Sequence, residues 1–202
     1  MIEYIIAGGP VMIPIGISSV VGMAAFLERM WTLRRSRVAP PALIREVIRL
    51  TRDGRFDDAI AVCRRASYPV TRLMEIPLVM RGQPRAVIKE RIEELGRREA
   101  SELERFISVL TTVGALGPLL GLLGTVGGMI VTFNAVQQSA NADVHQLAGG
   151  IAQALVTTFG GLCVAIPAVA ASRYLLSKVD SMIIELEEAS LTVLDIVAGK
   201  PA

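Results

Sequence analysis

Three stretches of this chain are apolar almost throughout and carry no charged side chain: residues 4–27, 106–142 and 144–172. A membrane-spanning helix needs about 20 such residues, because it crosses about 30 Å of hydrocarbon at 1.5 Å per residue. Each stretch is long enough. Asp143 and His145 alone interrupt the second and third, so residues 137–146 read as a short link and the two helices as an antiparallel hairpin. Pro10, Pro14 and the neighbouring glycines loosen the start of the first stretch. It lacks the basic start and small-residue cleavage site of a signal peptide, and reads as a retained spanning helix.

The polar region between the first and second stretches has helical rather than strand periodicity. Pro41 opens an amphipathic segment with Leu43, Val47 and Leu50 on one face, ended by Asp53 and Gly54. Residues 56–66 set Phe56, Ile60 and Cys63 on a common face. Pro69, Pro77 and Pro84 punctuate the next part of the loop. Residues 85–105 then run with Gly96 as the one breaker and with Glu and Arg at i,i+4 spacings. This helix is expected to continue into the second membrane helix, either extending a pore wall or serving as a solvated connector. The reading is an all-α, polytopic membrane protein. Its segments are a first membrane helix (1–33), a helical loop (34–105), a second membrane helix (106–136), the link (137–146), a third membrane helix (147–176) and a tail (177–202).

Composition agrees: 52% of residues are hydrophobic but only 4% aromatic, and the mean hydropathy is +0.51. The formal charge of +2 hides a segregation, since 17 of the 21 Lys and Arg residues fall within 34–105. Arg29, Arg34, Arg35 and Arg37 follow the first membrane helix, and the bias of basic residues toward cytoplasmic flanks puts that end inside. The amino terminus is then outside, the loop cytoplasmic, the link outside and the carboxyl terminus cytoplasmic. Nucleic acid is a poor partner for these arginines, because 11 acidic residues are interleaved among them and only Phe56 and Tyr68 could stack on bases. The lipid bilayer is the partner the composition names. Cys63 and Cys163 make no CxxC or Cys/His cluster, which leaves no expected metal or cofactor. The single His145 and the scattered acids form no nucleophile and base arrangement, so no catalytic residue is assigned.

The membrane hairpin holds the more specific pattern. Gly114, Gly117, Gly121, Thr125, Gly128 and Thr132 recur every three or four residues and share a helical face, away from Leu119, Leu122, Leu123, Met129 and Ile130. Stripes of small residues let membrane helices approach closely, and helix packing accounts for Gly117, Gly121, Gly124, Gly128 and, in the third helix, Gly161. The glycine string at 121–128 has no Lys before its Thr and is no phosphate loop. Thr125 and Thr132 carry hydroxyls that hydrocarbon cannot satisfy. Each needs a carbonyl three or four residues back or a partner outside its helix. Gln153, Thr157 and Thr158 repeat the theme in the third helix; Gln153 and Thr157 share a face, with Thr158 about 100° round. An internal solution is harder for the large amide of Gln153. Pro167 removes one backbone bond and is expected to kink the helix near Cys163 or Val164. A polar stripe of Thr125, Thr132, Gln153, Thr157 and Thr158 through two charge-free helices points to an ion path.

The segments GPLLGLLGTVGGMIVTF (117–133) and GGIAQALVTTFGGLCVAIPAVAA (149–171) resemble the paired pore-helix signature of the ExbB/TolQ family, relatives of the flagellar stator subunit MotA. The resemblance implies a homo-oligomer, a pentameric ring, around a single-pass ExbD/TolR-like subunit present in two copies. The aspartate in that partner's membrane helix takes up and releases the ion. Such a motor sits in the bacterial inner membrane and passes work driven by the proton motive force to a TonB- or TolA-like periplasm-spanning protein. The family's pore-lining threonines fall on Thr125 and Thr158. The acidic position five residues before the latter falls on Gln153, which cannot titrate near neutral pH. That departure leaves the transported ion open between proton and sodium. The cytoplasmic part is smaller than a flagellar stator's, while energised outer-membrane transport and envelope maintenance are not separated by this chain. The alternative is a non-conducting membrane scaffold anchoring a cytoplasmic helical domain, for which the threonine stripe would have no use.

Overall fold

The computed structural model describes residues 8–138 and 144–199, which are helical with no strand among them. The helices are α1 (Met12–Thr32), α2 (Arg35–Val38), α3 (Pro41–Arg52), α4 (Phe56–Ala66), α5 (Pro69–Val79), α6 (Arg85–Glu104), α7 (Ile107–Gln138) and α8 (Val144–Val197). Three of them, α1, α7 and α8, are long and apolar enough to cross a membrane. This is the all-α, three-span architecture that the hydrophobic pattern predicts. Helices already cover 137–138 and 144–146 of the expected link; its middle, 139–143 with Asp143, lies outside the described residues.

The chain divides into two compact units. The first takes in α1 up to Glu28 together with 106–174. Along the facing stripes of α7 and α8 its packing is the reverse of a water-soluble core, with small residues inside and large ones outside. Ala154, Ala165 and Ala168 of α8 are buried, whereas Leu119, Leu122, Leu123, Ile130 and Phe133 of α7 and Leu155, Phe159 and Ile166 of α8 are exposed. Lipid tails are as apolar as leucine, so nothing drives these side chains inward, and close backbone approach decides the interface instead. Both α7 and α8 run unbroken through an internal proline, Pro118 and Pro167 respectively. Pro167 lies in the wall of an apolar cavity of about 320 Å³ with Phe26, Leu110, Val113 and Cys163.

The second unit takes in 29–105 and the end of α8 from Leu175. Its helices begin and end on recognisable local signals. Pro41 and Pro69 stand at first helical positions, where the missing N–H has no partner to lose. Gly54 (φ +73°) turns the chain after α3, and Ser67 (φ +50°) ends α4. Val47 and Leu50 of α3 and Cys63 of α4 are buried, as their spacing predicts. The segment punctuated by prolines is nonetheless helical: α5 contains Pro77, buried with Val70, Leu73, Met74 and Leu78. α6 ends at Glu104 and α7 begins at Ile107, so they are two elements rather than the single one expected.

The tail is the larger departure. Residues 177–197 are helical, a continuation of α8, and Leu175, Val179, Met182, Leu186, Ala189 and Val193 alternate at four and three residues and are all buried. That is a heptad stripe packed into the polar unit. Arg85 bonds Asp195 at 2.8 Å, and Arg35 pairs with Glu185. Within α6, Ile88, Ile92, Gly96, Glu99 and Leu103 form one buried stripe. The acid in that stripe is met by Arg72 at 2.9 Å. Arg29 is buried too, its guanidinium donating to the Leu103 carbonyl at 3.2 Å.

Candidate functional site

The glycine stripe of α7 lies on the small-residue stripe of α8. Built at Gly114, a Cβ would run into Val169, and at Gly117 it would lie 2.8 Å from both Ala165 Cβ and the Gly161 carbonyl oxygen. At Gly121 it would lie 3.0 Å from Thr158 Cα, and at Gly128 it would be 3.3 Å from Ala154 Cβ. Each step up α7 therefore meets a step down α8, which is an antiparallel pair in near backbone contact. Gly161 is matched from the other side, where a Cβ would collide with the Gly117 carbonyl oxygen. The counter-stripe on α8 includes Gly150, Ala154 and Ala165 besides Gly161. Their spacing of four, seven and four residues could have been read from the sequence.

Gly124, rather than Thr125, meets the partner helix at this level: a Cβ on Gly124 would lie 2.6 Å from Thr157 Cβ. Thr125 stands about 100° further round and is half-buried, with its hydroxyl donating to the Leu122 carbonyl at 2.7 Å. Thr132 is buried against Gly150 and donates to the Gly128 carbonyl at 2.8 Å. The Thr125 and Thr132 hydroxyls thus both bond back to their own helix.

The two adjacent threonines of α8 part company. Thr158 is half-buried and donates across the pair, to the Gly121 carbonyl of α7 at 3.1 Å. Thr157 is fully buried, with its hydroxyl between the Gly8 carbonyl at 2.7 Å and the Gln153 carbonyl at 2.9 Å. Gln153 is half-buried beside Gly9, where a Cβ would collide with its Nε2. The structure brings Gln153 and Thr157 together with the start of α1. Thr158 and Gly121 form a separate junction, one helical turn from Thr125. Gly8 and Gly9 were visible in the sequence only as a loosened helix start.

Chemically, the packed faces of the hairpin offer hydroxyls, backbone carbonyls and the amide of Gln153. Residues 106–142 and 146–172 hold no carboxylate, amine or imidazole, so this part of the hairpin can solvate an ion or a water chain without itself taking up charge. Among the described residues no cluster of His, Cys, Asp or Glu could hold a metal ion.

The sequence profile of the MotA/TolQ/ExbB proton channel family matches residues 66–188, a span that includes the Gly121 and Thr158 junction. Over 184 residues the chain is 31% identical to biopolymer transport protein ExbB-like 1 of Synechocystis, covering 88% of this chain and 71% of that protein. The biopolymer transport protein ExbB homolog of Methanothermobacter thermautotrophicus is 30% identical over 188 residues, 93% of this chain and 67% of its own length. The Tol-Pal system protein TolQ of Haemophilus influenzae is 37% identical over 102 residues, 49% of this chain and 45% of that one.

Proposed function

The chain belongs to the MotA/TolQ/ExbB proton channel family, and from that premise we propose that it is the channel subunit of an inner-membrane motor of the ExbB/ExbD or TolQ/TolR kind. In this reading a pentameric ring of these subunits surrounds a single-pass partner whose membrane aspartate carries the titrating charge. Residues 106–142 and 144–172 of the chain supply no carboxylate for that task. Thr125 and Thr158 line the ion path. The amino terminus is periplasmic and the carboxyl terminus cytoplasmic, as the arginines after the first helix argue.

One observation carries the reading above the others: a half-buried threonine on each of two closely packed helices, in their charge-free stretches and inside the matched family span. The energetics suit this division of labour. One charge crossing about 100 mV releases about 2.3 kcal/mol, enough for repeated small movements of an inner helix against a wall of small side chains. The ion is a proton, with sodium the alternative that Gln153 leaves open.

The test is ion flux through the purified complex in proteoliposomes, with native mass spectrometry of the same preparation. Five copies with two of a small single-pass protein, and flux lost in Thr125→Val and Thr158→Val while assembly persists, support the motor. Full flux in both variants overturns the assigned path. A second reading, a non-conducting scaffold, draws on the bond of the Thr125 hydroxyl to its own helix. A monomer or dimer without flux would favour it.

A further inference from the structure

The start of α1 is tied to α8 at three successive points. The Gly8 carbonyl accepts the Thr157 hydroxyl at 2.7 Å, from a residue 149 positions away. Gly9 adopts φ +71° and leaves no room for a side chain beside the Gln153 amide. One turn on, Met12 lies against Gly160, where a Cβ would be 3.2 Å from Met12 Cε. Gln153, Thr157 and Gly160 are spaced four and three apart and form one face of α8. The Met12 N–H in turn donates to the Gly9 carbonyl at 3.1 Å, so the turn that grips α8 also begins α1.

Each part of this junction is demanding. A residue other than glycine is strained in the left-handed conformation of Gly9, and its Cβ would also meet the Gln153 amide. Thr157 is fully buried, and its one hydroxyl proton lies between two backbone carbonyls. Removing it would leave the Gly8 carbonyl without this donor in an apolar setting. A hydroxyl held in this way faces the inside of its own subunit.

We infer that Thr157 and Gln153 are positioning residues: with Gly8 and Gly9 they form a latch that fixes the start of α1 on α8, and they do not themselves pass the ion. The inference rests on the ion-path reading for the role left to Thr158, the next residue, whose hydroxyl goes to α7 instead. The latch holds the face of α8 behind Thr158, so releasing it would alter flux without removing any group that touches the ion.

A disulfide can replace the hydrogen bond. A Cβ at Gly8 would lie 3.4 Å from Thr157 Oγ1 but would run into the flexible Met12 side chain, so Gly8→Cys with Thr157→Cys is made with Met12→Ala, in a Cys63→Ala and Cys163→Ala background, to place two thiols at the latch. The complex in its own membrane is oxidised with copper phenanthroline and flux is measured before and after. The expected result is an intramolecular crosslink, flux about tenfold low when reduced, the equivalent of one lost buried hydrogen bond, and flux restored when oxidised. Restoration without any hydroxyl at 157 separates positioning from ion ligation. A crosslink with flux still lost overturns the inference, and so does the absence of a crosslink. If the cysteine pair does not accumulate, Gly9→Ala and Thr157→Val decide. Both must lower flux and the double variant must be no worse than either alone; a fully active Gly9→Ala overturns the latch. Thr158→Val is measured beside them, and its retention of flux would sink the ion-path reading whatever the latch does.

Discussion

Thr158 donates its hydroxyl hydrogen to the carbonyl of Gly121 on the antiparallel helix, 3.1 Å away, and the bond depends on what Gly121 lacks, since a Cβ there would lie 3.0 Å from Thr158 Cα. Hydrogen bonds between membrane helices contribute on average about 0.6 kcal/mol. Thr158→Val is therefore expected to lower the thermal midpoint in detergent only slightly while stopping ion flux, and Thr158→Ser to preserve both. A Val variant that falls apart would assign Thr158 to packing.

The closest backbone approach makes a sharper demand. Gly117→Ala puts a methyl 2.8 Å from the Gly161 carbonyl oxygen, with backbone on the far side that cannot rotate away. Overpacking of this sort costs about 1–3 kcal/mol, so the thermal midpoint should fall and less assembled complex should be recovered. Gly127 has nothing within 4 Å of a Cβ inside the subunit, and Gly127→Ala should leave the subunit's midpoint unchanged. Equal loss in both variants would remove the distinction between them.

In the polar unit, burial raises the Glu99 carboxyl above its ordinary 4.5, against the pull of Arg72 and with a smaller push from Glu102. A folded state that holds the proton more tightly is favoured when the acid is protonated. That contribution is lost as pH rises from 4.5 through the raised value. Glu187 is raised in the same direction, so the informative quantity is the difference between the native chain and Glu99→Gln, measured as melting midpoints from pH 4.5 to 7. Glu99→Gln should lose less stability over that range. Arg72→Ala removes the group that lowers the Glu99 pKa and should lose more, about 1–3 kcal/mol at neutral pH. Three parallel profiles would refute the assignment.

Cys63 is buried, and desolvation with the nearby Glu75 pushes its thiol up to about 12. Since the thiolate is the reactive form, a Cys163→Ala protein at neutral pH should resist N-ethylmaleimide while folded and be labelled fully in denaturant. Rapid labelling of the folded protein would place Cys63 at a surface.

The spanning helices were legible because length and apolarity are local properties of the chain. The site was legible only in part. Spacing put Thr125 on the glycine face, but helix contact is decided by which residue can come closest, and Gly124 can. It also put Thr157 beside Gln153 and Thr158 round the helix, yet could not say that one hydroxyl reaches Gly8 and the other Gly121, because those partners are 149 and 37 residues away in the chain. Pro77 read as a breaker where burial of its neighbours overrides the missing N–H. The heptad from Leu175 to Val193 was present in the sequence. Its context, just after an apolar run, concealed that it belongs to the polar unit.

The hydroxyls of Thr125 and Thr158 each have one hydrogen, and each gives it to a backbone carbonyl. What remains on each oxygen is a pair of acceptor sites. Such an oxygen can receive a cation, a hydronium or a protonated acid, and has nothing to offer a bare carboxylate or chloride. A wall built this way discriminates by the sign of charge while carrying none itself.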